Sequence, residues 1–170
     1  MTEVILVNEA DEAIGRMEKM QAHREGVLHR AFSVILRNAN NEILLQQRAF
    51  SKYHSGGLWT NTCCSHPAPG EDILSAAKRR LVEELGIQCE HLELKYSFIY
   101  KAALDNELTE HELDHVVLGI YDGPINLNKE EVESIEYVTS EELHRRMNTQ
   151  PEDFTVWFRA IYQALYPAYL

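Results

Sequence analysis

Apolar residues fall into short runs of strand length and one long helical stripe. Val4-Ile5-Leu6-Val7 is a continuous apolar run that reads as a strand. A turn follows from Asn8 to Glu12, and the polar stretch from Arg16 to His23 has weak helical character. Beyond a short loop at Gly26, His29 to Leu36 reads as a strand, Asn38-Ala39-Asn40-Asn41 as a turn, and Glu42 to Arg48 as a returning strand. This predicts a β-hairpin. Arg48 to Gly57 is loop-like, and Leu58-Trp59-Thr60 is a short strand-like run. Pro67-Ala68-Pro69-Gly70 breaks the chain. Asp72 can then cap a helix that runs to Leu85 and ends at Gly86, with Ile73, Ala77, Leu81 and Leu85 on its core face. Strand-like runs follow at about 94–102, 113–121 and 134–138. Thr139-x-x-Glu142 is a capping box for a helix to Met147, and a last helix runs from Asp153 to Leu165, before Pro167. Many strands, a strong central helix and C-terminal helices predict an α+β sandwich over residues 1–170 as a single domain.

Composition narrows the function. The chain carries 27 acidic against 16 basic residues, a net charge of -11, which argues against non-specific binding to nucleic acid or to an anionic membrane. An anionic ligand would need the few cations gathered at one site. No apolar run approaches the ~20 residues needed to cross a bilayer. The first residues lack a basic segment leading into an apolar core, so no secretory signal is expected. Three cysteines, two adjacent, make a poor disulfide framework and fit a reducing cytoplasm.

The densest chemistry lies in Asn61-Thr62-Cys63-Cys64-Ser65-His66-Pro67. If this is a strand end, Cys64 and His66 face one side, towards a cavity; a buried thiol beside a hydrogen-bonded histidine is the plainer alternative, and Cys63 reads as packing. Glu110-His111-Glu112 alternates two carboxylates onto one strand face, where they could share a cation. A hairpin would bring the Tyr100 hydroxyl to Glu112. His23, His29 and His66 lie near apolar or glycine-containing segments; three imidazoles and two carboxylates would suit Mn²⁺, Zn²⁺ or Mg²⁺.

Glu71, Arg79, Leu81, Glu83, Glu84, Gly86 and Ile87 match the spacing of the Nudix box, G-x5-E-x7-R-E-U-x-E-E-x-G-U, with U a bulky aliphatic. Ser65 stands where that pattern has its first glycine, and Arg80 where it has a glutamate. The plainer alternative is that Arg79–Glu83 and Arg80–Glu84 are surface ion pairs one helical turn apart. Taken with Leu28 to Ser33, Gln46-Gln47-Arg48, Thr60 to Pro67 and Glu110 to Asp114, all in order, the chain resembles the type I isopentenyl-diphosphate isomerases, Nudix-fold enzymes, over residues 4–165. That family also has arginine at the box position of Arg80.

The resemblance implies a Nudix-like α/β/α sandwich with a mixed sheet. It implies His23, His29, His66, Glu110 and Glu112 as ligands of a divalent metal, with His23 to His29 a tight spacing. It implies Cys64 as an acid/base on one face of the substrate and Glu112 with Tyr100 on the other. Lys19, Arg48, Lys52 and Arg80 would hold the diphosphate, with Mg²⁺ bridged by Glu84, and Trp157 would lie over the allylic carbons. The implied reaction moves a proton across three carbons of isopentenyl diphosphate to give dimethylallyl diphosphate. A tertiary carbocation would gain about 2 kcal/mol from an aromatic face once desolvated, and fixed orientation is worth roughly 7–11 kcal/mol in good cases. On this reading Glu112 delivers the proton, and Cys64, as a thiolate whose pKa is lowered by Arg48, Lys52 or metal, removes one. The chain is read as a monomer with a small-molecule substrate and no nucleic-acid partner. The alternatives are a Nudix hydrolase of a nucleoside-diphosphate derivative and a non-catalytic diphosphate-binding module.

Overall fold

A computed structural model describes all residues, 1–170. The elements in chain order are β1 (Glu3–Val7), β2 (Ala13–Glu18), α1 (Lys19–Glu25), β3 (His29–Arg37), β4 (Ile43–Arg48), β5 (Trp59–Thr60), β6 (Cys63–Ser65), α2 (Ile73–Leu85), β7 (Leu92–Ala103), β8 (Thr109–Ile120), β9 (Val132–Val138), α3 (Ser140–Thr149) and α4 (Val156–Leu165). The strands form one mixed sheet. β3 and β8 run parallel from His29↔Glu112 to Arg37↔Ile120, and the other pairings are antiparallel.

The apolar run of β3 is buried on both faces, as expected of a strand at the centre of a covered sheet. On one face Phe32, Val34 and Leu36 pack with Ala77, Leu81 and Leu85 of α2. On the other, Ile35 packs with Leu143 of α3 and Phe158 and Ile161 of α4. Helices on both faces make the predicted α/β/α sandwich. Asp72 accepts from the Ser75 amide, and Gly86, at φ 62°, closes α2 in the left-handed region. Thr139 accepts from the Glu142 amide, the expected cap of α3.

The expected hairpin of β3 and β4 is corrected. The two strands share a single register pair, Arg37↔Ile43, and then part. β4 pairs with β9 from Ile43↔Val138 onward, while β3 takes β6 at Phe32↔Ser65 to Val34↔Cys63. Thr62 lies between the parted strands. Its hydroxyl accepts from the Leu36 amide at 2.9 Å and donates to the Leu44 carbonyl at 2.6 Å. One buried side chain thus satisfies backbone groups that a hairpin ladder would otherwise pair. The stretch from Arg16 to His23 also divides: residues to Glu18 extend β2 against β1, and α1 begins at Lys19. Glu18 accepts from the amides of Met20 and Gln21, which fixes that boundary. β8 starts at Thr109, earlier than its apolar pattern suggests, because its first half carries acidic residues. α4 starts at Val156, capped by Thr155, with a 3₁₀ turn over Pro151–Asp153 before it.

Thr62→Val should lower the free energy of unfolding by about 2 kcal/mol or more, because it strands a buried N–H and a buried C=O. Chemical denaturation checks this, with Thr62→Ser expected to retain most of the stability; a Val variant as stable as the parent would show that Thr62 does not hold the split open.

Candidate active site

The sheet register aligns a row of site residues across three strands: His29 of β3 lies beside Glu112 of β8, which lies beside Tyr100 of β7. His23 arrives from α1. Gly26, at φ 64°, ends that helix and turns the chain into β3, so the tight His23 to His29 spacing becomes two rings 5.1 Å apart. His66 follows the end of β6. His23, His29, His66 and Glu112 present ligand atoms that all lie within 4.8 Å of one another. The Glu112 Oε1 atom is 2.8 Å from His66 Nε2 and 3.4 Å from His29 Nε2.

Local hydrogen bonds orient these rings. His23 Nδ1 lies 2.8 Å from the Lys19 carbonyl, and His29 Nδ1 lies 2.8 Å from the Val27 carbonyl. A carbonyl only accepts, so each Nδ1 donates its proton there and Nε2 is the nitrogen each ring turns inward, free to ligate a cation. Burial holds His66 down at about 4, and burial, then His29, lowers His23. His29 is the exception: burial acts to lower it, but the hydrogen bond and charge of Glu112 raise it overall. Burial acts to raise Glu112, but its bonds to His29 and His66 hold it well below the usual carboxylate range. Three imidazoles and an ionised carboxylate, with two tautomers set by backbone carbonyls, fit a divalent cation.

Glu110 stands two residues before Glu112 and is buried with it. It lies outside the four converging residues and accepts a hydrogen bond from the Tyr100 hydroxyl. Tyr100 also bonds Glu112 Oε2, at 2.8 Å. Burial, then the charge of Glu112, pushes Glu110 well above the carboxylate range.

Cys64 turns to the face opposite Cys63, which is fully buried against α2. Its Sγ donates to Asn61 Oδ1 at 2.9 Å and lies 3.3 Å from Ser33 Oγ, which donates to Asp114 Oδ2 at 2.7 Å. Of the groups expected to lower the Cys64 thiol, Arg48 and Lys52 do not do so: burial, then the Asp114 carboxyl, pushes it well above its ordinary value. Asp114 is itself raised to about 8 by burial and by Glu112, and its Oδ1 has no partner. Ser33, Asn61 and Asp114 were absent from the sequence-based set. Asp114 was signalled by its place on the face of Glu110 and Glu112; Ser33 carried no signal, since it reaches Cys64 only through the β3–β6 register.

Cys64, His23, His66, Glu110 and Glu112 line one cavity of about 70 Å³. Four cations line it too: Lys19, Arg48, Lys52 and Arg80. Lys52 pairs with Glu131 at 2.6 Å, and Arg80 pairs with Glu84 at 2.6 Å. Glu84 is buried and also accepts from Gln46 at 2.9 Å, so this pair is no surface feature. Arg79 does lie outside, bound to Glu71 at 2.8 and 2.9 Å and more loosely to Glu83. Trp157 packs in the α4 core yet lines the cavity, with the Arg48 guanidinium 5.0 Å from its ring centre. Tyr53, His54 and Glu131 also line the cavity; the loop pattern around them gave no hint of this.

A mixed sheet with a helix carrying Arg79 to Glu84 beside an acidic and histidine cluster defines a Nudix domain, and residues 27–158 match the NUDIX domain family model. The fold is shared with a crystal structure from Deinococcus radiodurans, at a TM-score of 0.80, 20% identity, and 96% and 99% coverage of the two chains. A MutT protein from Methanosarcina mazei shares it at a TM-score of 0.65, 17% identity, and 81% and 91% coverage. Curated relatives specify the branch. An isopentenyl-diphosphate Delta-isomerase from Pectobacterium atrosepticum is 53% identical over 94% of this chain and 88% of its own length. One from Serratia proteamaculans is 48% identical over 95% of this chain and 90% of its own. The chain belongs to the isopentenyl-diphosphate Delta-isomerase family of Nudix-fold enzymes. No helix is long and apolar enough to cross a membrane.

Equilibrium dialysis against Mn²⁺ should find tight binding to the parent chain. His66→Ala and Glu112→Gln should each weaken it by more than the ~10–100-fold typical of losing a group that only orients a ligand. Unchanged affinity in both variants would show that the cluster is not the metal site.

Proposed function

We propose that this chain interconverts isopentenyl diphosphate and dimethylallyl diphosphate by a 1,3 proton shift. The observation that carries the reading is one small cavity shared by a thiol, a carboxylate, an indole ring and four cations. Lys19, Arg48, Lys52 and Arg80 bind the diphosphate, and Glu84 would hold the Mg²⁺ that offsets its charge. That anchorage sets the five-carbon chain against Trp157, whose π face meets the positive charge that develops at the tertiary carbon. Cys64 and Glu112 exchange protons with the substrate from opposite faces. One adds a proton at the terminal alkene carbon, the other removes one from the carbon nearer the diphosphate, and the double bond moves between them. Their roles swap in the reverse direction. Tyr100 holds Glu112 and Glu110 in place by its hydroxyl.

His23, His29, His66 and Glu112, with Glu110 beside them, would hold a second divalent ion, Mn²⁺, Zn²⁺ or Mg²⁺. When bound, that ion supplies a fixed positive charge at Glu112 and tunes its basicity. Ser33 and Asn61 fix the direction in which the Cys64 thiol points. Hydrolysis of a nucleoside diphosphate derivative is disfavoured by Arg80, which fills a box position with a cation paired to Glu83 and Glu84. We read the protein as a monomer acting in the cytoplasm, where its three free cysteines stay reduced.

Isopentenyl diphosphate incubated with the protein in D₂O, Mn²⁺ and Mg²⁺ should yield dimethylallyl diphosphate carrying deuterium, followed by NMR and abolished by a chelator. Cys64→Ser should lower the rate by at least about 10²-fold while metal and pyrophosphate binding persist. Unchanged substrate with folded, metal-loaded protein would overturn the isomerase reading, and a near-normal rate in the Ser variant would remove Cys64 from catalysis.

A further inference from the structure

The loop between β4 and β5 places a side chain in the cavity that the proton-transfer scheme does not use. His54 lines that cavity, only 6% exposed, beside Tyr53. The loop is tied down from the β7–β8 turn. Asp105 accepts from the Ser55 amide at 2.9 Å, and Asn106 donates to the Tyr53 carbonyl at 2.8 Å. Arg48 donates to the His54 carbonyl at 3.2 Å. The imidazole stands edge-on to Trp157 at 5.6 Å and to Tyr53 at 4.5 Å. These backbone bonds and ring contacts set its position at the cavity wall.

The ring has one occupied nitrogen and one free one. Nδ1 lies 3.1 Å from the Ser55 hydroxyl, which has no other partner, while Nε2 makes no hydrogen bond within the protein. Burial, then the positive charges of Arg48, His23, Lys19 and Lys52, hold the imidazole down to about 3, so it is neutral. The same cations show what His54 faces. Lys19 and Lys52 place their ammonium groups 5.3 and 6.0 Å from the centre of the Tyr53 ring, and Arg48 covers Trp157. An unpaired imidazole N–H on the cavity wall among three cations is a ready partner for an anion. A neutral donor adds a directed hydrogen bond there without adding to the repulsion among the cations.

We propose that His54 is a further diphosphate-binding residue, donating Nε2–H to a phosphate oxygen while the Ser55 hydroxyl donates to Nδ1. This rests on the isomerase reading of the same cavity. The Ser55 contact sets the tautomer, the Trp157 and Tyr53 edges fix the ring plane, and the diphosphate oxygen completes the donor that the protein leaves unpaired.

The test compares His54→Phe, which keeps a ring without a donor, with His54→Gln, which returns an N–H near the position of Nε2. Inorganic pyrophosphate binding, measured by calorimetry on the metal-loaded protein, should weaken by about tenfold or more in the Phe variant, as expected for a lost hydrogen bond to a charged group. KM for isopentenyl diphosphate should rise to match, while kcat changes by less than about threefold, and the Gln variant should recover most of the loss. In the parent protein, pyrophosphate should fix the His54 ring as the Nε2–H tautomer, read from its ¹⁵N shifts. A Phe variant that binds pyrophosphate as tightly as the parent overturns the assignment. Should that variant not fold, His54 ¹⁵N signals that stay unmoved at saturating pyrophosphate overturn it alone. A parent protein that binds pyrophosphate and isomerises substrate, yet gives either of those results, refutes only the role of His54. A parent that does neither refutes the isomerase reading with it.

Discussion

A buried carboxylate needs partners, and Glu112 has three. Two imidazoles converge on one of its oxygens and a phenol on the other. Leaving such a charge unpaired in the interior would cost several kcal/mol, roughly 3–5. Much of the site's architecture meets that requirement. The parallel pairing of β3 with β8 brings His29 alongside, the β7–β8 register brings Tyr100, and β6 leads out to His66. The short α1, closed by Gly26, returns His23 to the same point. Histidine is the side chain for this task because one nitrogen can be tied to backbone while the other stays a lone pair.

Charge is sorted within a small volume. The chain is strongly acidic overall, yet four of its 16 basic residues line one cavity. Each is placed by local structure as well as by charge. Lys52 is paired with Glu131, Arg80 with Glu84, Arg48 lies on Trp157 and Lys19 over Tyr53. Such pairs keep the cations in position before an anion arrives, so less ordering remains to be done on binding. The thiol rests in a separate network of Asn61, Ser33 and Asp114. The cavity is thus lined by an ionised, histidine-bound carboxylate and by a neutral, hydrogen-bonded thiol. Two groups in such different environments are what a reversible proton transfer needs.

Parts of this were legible in the linear chain. α2 was, because its cap, stripe and closing glycine are local signals that act within a few residues. Glu110 and Glu112 sharing a face followed from the two-residue period of a strand, and Tyr100 opposite Glu112 followed from a hairpin. The β3–β4 pairing was misread because turn chemistry predicts that a chain reverses, not how far the strands then stay together. That depended on Thr62, distant from both strands in the local pattern, filling the gap. The thiolate expectation failed for a related reason. Proximity to lysine and arginine was inferred from their sharing a site, whereas after burial the group acting most strongly on Cys64 is the Asp114 carboxyl.

The sequence by itself determined the Nudix-like class, the order of the motifs and the residue types that carry the chemistry, because spacing on one helix or one strand is a local geometric fact. Only the tertiary structure decided which histidines of the eight converge and that Ser33 and Asp114 stand behind the thiol. It also decided that the loop residue His54 faces the cavity with a nitrogen unpaired. These placements come from pairing between strands and loops far apart in the chain. Register and burial there follow from the packing of the whole sheet, which no local pattern encodes.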